Sequence, residues 1–132
     1  MPKIYANGIE LYYERYGKGA PFILVCGFKS TLEIWKEITS QLKNSFEVIV
    51  FDNRGAGRSS TTAPPYTIDL LADDIIGLMD ALDIPKAHVM GASMGAMVVQ
   101  SLGLRYGERL LKGVLLNAFT TIPTTALMAI KS

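Results

Sequence analysis

Hydrophobic positions along this chain change period several times, and each change marks an element. Residues 3–16 read as a hairpin around Asn7-Gly8, with a short strand at Lys3–Ala6 and a longer one at Ile9–Tyr16. Asn-Gly suits that turn because both residues tolerate positive φ. Gly17-Lys18-Gly19-Ala20-Pro21 then reads as a loop. Phe22-Ile23-Leu24-Val25 is an unbroken apolar run, the pattern of a strand covered on both faces. Ile34, Ile38 and Leu42 recur at four-residue steps beside Trp35, which predicts an amphipathic helix capped by Ser30 or Thr31. Phe46–Phe51 is another apolar strand, and Asp52–Pro65 a turn-rich loop. From Thr67 to Leu82, the residues Leu71, Ile75, Leu78 and Leu82 share one face of a second helix, which Pro85 ends. Ala87–Gly91 reads as a strand, Met94–Tyr106 as a helix and Leu110–Asn117 as a strand. Thr120–Ser132 has no strong period and reads as a loop or the first turn of a further element.

Strands alternating with helices after an antiparallel opening hairpin predict an α/β fold. Its sheet is doubly wound and mostly parallel, with about six strands and three main helices. A length of 132 residues fits one domain. Apolar residues make up 49% and charged residues 19%, which excludes disorder and suits a sheet buried on both faces. Lys plus Arg is 13 against 12 for Asp plus Glu, a net charge of +1. That balance argues against nucleic acid or a membrane surface as partner. The longest apolar runs fall far short of a membrane span. Met1-Pro2-Lys3-Ile4-Tyr5 lacks the features of a signal peptide, so the expected compartment is the cytoplasm. A single cysteine, Cys26, excludes an internal disulfide framework, and with one histidine, His88, it argues against a structural zinc site.

The chemistry concentrates in Gly91-Ala92-Ser93-Met94-Gly95, a Gly-x-Ser-x-Gly pentapeptide lying directly between a strand and a helix. This spacing is the signature of a nucleophile elbow. A serine on so tight a turn sits at strained backbone angles, with its oxygen raised above the carboxyl edge of the sheet. The flanking glycines are needed because a Cβ at either would collide with the adjoining strand or helix. The following helix points its free N–H groups at the place where negative charge develops. The bland alternative is a Ser-Gly turn that packs helix on strand and does no chemistry. A nucleotide-binding Rossmann domain is disfavoured, because the turn is not Gly-x-Gly-x-x-Gly.

Four stretches carry a resemblance that covers nearly every residue from 3 to about 120. They are Val25-Cys26-Gly27-Phe28, Phe51-Asp52-Asn53-Arg54-Gly55-Ala56-Gly57-Arg58-Ser59, Leu71-Ala72-Asp73-Asp74 and His88-Val89-Met90-Gly91-Ala92-Ser93-Met94-Gly95. Together they resemble the N-terminal half of an α/β-hydrolase of the esterase and enol-lactonase kind. The resemblance implies a hydrolase core over residues 1–119, with the start of a cap or tail at 120–132. It implies Ser93 as nucleophile and the backbone N–H groups of Met94 and Phe28 as the oxyanion hole, with Phe28 also walling the acyl pocket. Asp52, Arg54 and Ser59 match a loop that braces the site. The implied reaction is hydrolysis of a small carboxylic ester or lactone through an acyl-serine, with no cofactor and no metal.

The chain departs from the family pattern in three places. Cys26 stands where the family has a structural histidine, and it reads as a small buried residue rather than a reactive thiol. The family's triad acid and histidine lie in the C-terminal half and are absent. His88 cannot replace them: it lies five residues before Ser93, about 13–16 Å down the strand, beyond the reach of a general base. Asn117 stands where some members place the acid, and an amide cannot stabilise an imidazolium as a carboxylate does. Asp52, Asp73 and Asp74 read as solvated or capping acids. Without a further strand, Gly113–Leu116 would be an unpaired sheet edge. Two functional classes follow. One is a serine hydrolase completed by its C-terminal half. The other is a catalytically poor binding module in which two copies pair through that edge. Non-hydrolytic uses of the same elbow, such as a lyase, perhydrolase or receptor, share the fold.

Overall fold

Asn7 and Gly8 both take positive φ, 50° and 82°, and turn the chain from β1 (Lys3–Ala6) into β2 (Ile9–Tyr16) as an antiparallel hairpin. The computed structural model describes residues 2–27, 30–63 and 65–116, together with the backbone of 128–130. After the hairpin come β3 (Ala20–Val25), a 3₁₀ turn at Leu32–Trp35, α1 (Lys36–Leu42) and β4 (Phe46–Phe51). Then follow α2 (Ile68–Ala81), β5 (Ala87–Ala92), α3 (Met94–Arg105), β6 (Leu110–Leu116) and β7 (Met128–Ile130). The strand order is β1-β2-β4-β3-β5-β6-β7. β4, β3, β5 and β6 run parallel, and β1, β2 and β7 lie antiparallel to their neighbours.

This order places the site before any side chain is considered. The connection leaving β3 runs outward to β4, and the one leaving β5 runs the opposite way to β6. Adjacent strands whose connections diverge leave a crevice at their carboxyl ends, where α/β sheets hold ligands. Those ends are Cys26-Gly27 and Ser93.

The central strands are buried on both faces, as their unbroken apolar runs predict. Ile23, Val25, Ile49, Phe51 and Val89 face α2 and α3, meeting Leu71, Ile75, Leu78, Val98 and Leu102. Leu24, Cys26, Val48, Val50 and Met90 face the other way, under Leu32 and Trp35, with Ile38 and Leu42 packed against them. Burying each such Leu, Ile or Val contributes about 1.5–3 kcal/mol. In α2, Leu71, Ile75 and Leu78 are buried as expected, and the Thr67 hydroxyl accepts from the Leu70 N–H at 3.0 Å.

Four expectations are corrected. The segment at 32–42 opens as a 3₁₀ turn, so its buried face is Leu32, Trp35 and Thr39, while Ile34 is 53% exposed. Thr31 holds the N-cap position without capping; its hydroxyl donates to Glu33 instead, and the Leu32 N–H is taken by Asp52. Two of the three acids, Asp52 and Asp74, are buried rather than solvated, and Asp73 is half-buried and paired. Asp74 accepts a two-pronged pair from Arg54 at 2.8 and 2.7 Å and a third bond from Asn7 at 2.8 Å, with side-chain exposures of only 1% for Asp74 and 9% for Arg54. Asp73 accepts from Arg105 at 2.8 Å and from the Tyr106 hydroxyl at 2.6 Å, joining α2 to the end of α3. Lastly, the β6 edge is not bare, since β7 pairs with it antiparallel over Gly113–Leu115. A period of three residues is too short to register as a strand in the pattern of the sequence. Asn117, Phe28 and most of the Thr120–Ser132 stretch lie outside the described residues.

Candidate active site

β5 ends at Ala92 and α3 begins at Met94, which leaves Ser93 alone to make the turn. It does so at φ 55° and ψ −121°, a conformation that costs a residue with a Cβ about 1–3 kcal/mol. The Ser93 N–H donates to the Leu116 carbonyl at 3.1 Å, which pins the elbow to the end of β6. The side chain is half-buried.

The glycines act as the sequence predicts. A Cβ at Gly91 would lie 2.2 Å from the Gly95 carbonyl oxygen, and one at Gly95 would lie 2.5 Å from the Val25 oxygen. Strand and helix therefore approach through bare backbone on both sides of the serine. Met94 is the first residue of α3, so its N–H has no partner within the helix. No acid occupies that first turn, which leaves the positive end of the helix dipole uncompensated beside Ser93. Gly27 approaches from β3: a Cβ built there would sit 3.4 Å from the Ser93 Cβ and 4.0 Å from the Met94 nitrogen. The chain thus leaves β3 at Gly27 directly alongside the elbow.

Two neighbouring residues of the loop after β4 hold that loop at both ends. Asp52 is buried; its Oδ1 accepts from the Leu32 N–H at 2.8 Å and its Oδ2 from the Arg58 N–H at 3.0 Å. The Ser59 hydroxyl donates to the Asp52 carbonyl at 2.6 Å and accepts from the Tyr12 N–H at 2.8 Å. Asn53, also buried, donates from Nδ2 to the Cys26 carbonyl at 3.1 Å. Its Oδ1 is buried without a hydrogen-bond partner among the described residues. The pattern of the sequence assigns Asn53 no role. The only signal is its place beside Asp52 at the carboxyl end of a buried strand.

Cys26 and His88 stand apart from the chemistry. The Cys26 thiol is fully buried, 3.7 Å from the Phe51 carbonyl. Burial first, and the Asp52 charge second, push it up from 9.0 to about 12. It is expected to resist iodoacetamide at pH 8 and to react only after unfolding in urea, as mass spectrometry would show. The folded state keeps this thiol protonated, so its stabilising effect is complete below pH 9 and lost as pH rises toward 12. Alkaline titration should weaken the fold by about 1.4 kcal/mol per pH unit in that window, and a Cys26→Ala variant should lose that component. His88 packs against Phe22 and Phe46, with ring centroids 5.6 and 5.7 Å away. Burial, then the Lys112 charge, lowers its pKa. It lies at the opposite end of β5 from Ser93.

A cleft of about 400 Å³ opens beside α1, lined by residues such as Tyr16, Lys36, Thr39 and Lys43, and Ser93 does not line it. Among the described residues, no group of three or more His, Cys, Asp or Glu is placed to hold a metal ion. No described helix is long and apolar enough to cross a membrane.

Comparison with known proteins agrees with this fold. The sequence profile of the alpha/beta hydrolase fold matches residues 20–132. The chain belongs to the alpha/beta hydrolase family. It is 34% identical over 119 residues to 3-oxoadipate enol-lactonase 2 of Acinetobacter baylyi, covering 89% of this chain and 45% of that protein. Among solved structures it is similar to the enol-lactonase from Burkholderia xenovorans LB400, at 33% identity and a TM-score of 0.86, covering 89% of this chain and 46% of that one. A thermophilic esterase from Thermogutta terrifontis is 34% identical with a TM-score of 0.83, over 89% of this chain and 45% of the esterase. The chain spans less than half the length of these alpha/beta hydrolases.

Proposed function

We propose that this chain carries the nucleophile and oxyanion hole of a serine hydrolase acting on small carboxylic esters or lactones. The observation that carries the reading is Ser93 at φ 55°, wedged between two glycines that no larger residue could replace. In this mechanism the Ser93 Oγ bonds to the acyl carbon while its proton passes to an imidazole. The tetrahedral oxyanion rests on the N–H groups of Met94 and Phe28, each contributing about 3–4 kcal/mol. The bond from acyl carbon to the alcohol oxygen then breaks, and the alkoxide leaves with that proton. For a lactone, the freed alcohol stays tethered to the acyl group. Water, deprotonated by the same imidazole, attacks acyl-Ser93, releases the carboxylic acid and restores the serine.

His88 cannot be that imidazole, so it and its carboxylate partner come from polypeptide beyond this chain. The family relatives, more than twice as long, support a C-terminal half as the source. Self-association through Gly113–Leu116 has less support, because β7 already occupies that edge over Gly113–Leu115.

The test is labelling by a fluorophosphonate in the protein assembled with its C-terminal half. Phosphonylation, with loss of fluoride, is expected on the tryptic peptide containing Ser93, together with turnover of p-nitrophenyl acetate. Absence of that adduct in the assembled, folded protein would overturn the reading.

A further inference from the structure

We infer that Asn53 is a positioning residue for the oxyanion hole, acting through the Cys26 carbonyl; this rests on the reading of Ser93 and its two amide donors given above. Four observations converge on it. First, Asn53 Nδ2 donates to the Cys26 carbonyl at 3.1 Å, at the point where the loop leaves β3. Second, its neighbour Asp52 holds the other end of that loop through the Leu32 N–H at 2.8 Å. Third, between these tethers the Ser30 N–H donates to the Gly27 carbonyl at 3.2 Å. Fourth, the Cys26 carbonyl is also hemmed in by Gly95, where a Cβ would come within 3.1 Å of it. The peptide group between Cys26 and Gly27, one residue before the proposed second amide donor, is therefore clamped between the elbow helix and the Asn53 amide.

The same side chain is a poor contributor to stability. Its one bond to Cys26 is offset by a buried Oδ1 that has no partner among the described residues. An apolar side chain of the same size removes that oxygen but leaves the buried Cys26 carbonyl without this donor, two effects of similar size and opposite sign. Asn53 thus separates from a merely structural residue: its loss leaves the fold nearly as stable and lets the loop drift. Displacing an oxyanion donor weakens the transition state more than the bound ester, so kcat falls while KM holds.

The experiment compares wild type with Asn53→Leu and Asn53→Asp in the assembled protein. Asn53→Asp keeps the shape but replaces the donor with an acceptor. Both variants are expected to lower kcat for p-nitrophenyl acetate, and the rate of fluorophosphonate labelling, by about 10–100-fold. KM should stay within about twofold of wild type, and Tm for Asn53→Leu within about 5 °C. Amide hydrogen exchange at Ser30, which does not depend on catalysis, should quicken by at least about tenfold as the loop opens locally. Unchanged Ser30 exchange in Asn53→Leu overturns the proposal, whatever happens at Ser93. A rise in KM with kcat intact overturns it too. If wild type itself fails to label, the nucleophile reading falls, and the exchange measurement still decides whether Asn53 holds the loop.

Discussion

Ser93→Ala is expected to abolish fluorophosphonate labelling and to lower ester turnover in the assembled protein by about 10⁵–10⁶-fold, because nucleophile and base act as a unit. Ser93→Gly should be equally inactive and, in addition, more stable than wild type. The serine sits at φ 55° and ψ −121°, where a Cβ costs about 1–3 kcal/mol. Glycine relieves that strain but adds about 0.4–1 kcal/mol of unfolded-state entropy. The net gain is about 1 kcal/mol, readable as a higher urea midpoint with unchanged slope. Alanine keeps the strain and should show no such gain. Equal midpoints for Gly and Ala would mean that the elbow stores no strain, and labelling that survived in Ser93→Ala would place the nucleophile elsewhere.

The second large effect falls on the glycine two residues earlier. A Cβ at Gly91 meets the Gly95 oxygen at 2.2 Å, the Gly95 carbonyl carbon at 2.3 Å and the Ala96 nitrogen at 2.9 Å. All three are backbone atoms of α3, so relief requires lifting the helix off β5. We expect Gly91→Ala to cost more than about 4 kcal/mol, against a total of about 5–15 kcal/mol for a domain. The variant should be largely unfolded or insoluble. Gly8→Ala is the control. Its Cβ meets nothing within 4 Å, and only its φ of 82° is unfavourable. That change should cost about 1–2 kcal/mol. Circular dichroism in a urea series would separate the two, and a Gly91→Ala protein within 2 kcal/mol of wild type would contradict the close packing of elbow and strand.

These two variants also mark how much of the site could be read from the pattern of residues. Gly-x-Ser-x-Gly between an apolar run and a helical repeat carries its own geometry, because only a strand-to-helix turn with no Cβ on either side explains two glycines so placed. The hairpin at Asn7-Gly8, the buried face of α2 and the separation of His88 from Ser93 are local in the same sense. Each depends on period, on turn chemistry or on rise per residue. Where the pattern misled, a distant residue had intervened. Ile34 lies at the right spacing for a core helix, yet the Asp52 carboxylate takes the Leu32 N–H, the segment opens as a 3₁₀ turn, and its buried face rotates onto Leu32 and Trp35. Asp74 looks like a solvated helix acid until the loop after β4 brings Arg54 against it, twenty positions away.

By itself, then, the order of residues determined the α/β class, the elbow with Ser93 at its turn, and the distance of the one histidine from it, since all of these follow from near neighbours along the chain. Only the tertiary structure decided what holds the loop after β3, where the three acids go and what lies on the edge of β6. Those contacts join segments that share no period, and hydrogen bonds formed across a fold leave no trace in the spacing of either partner.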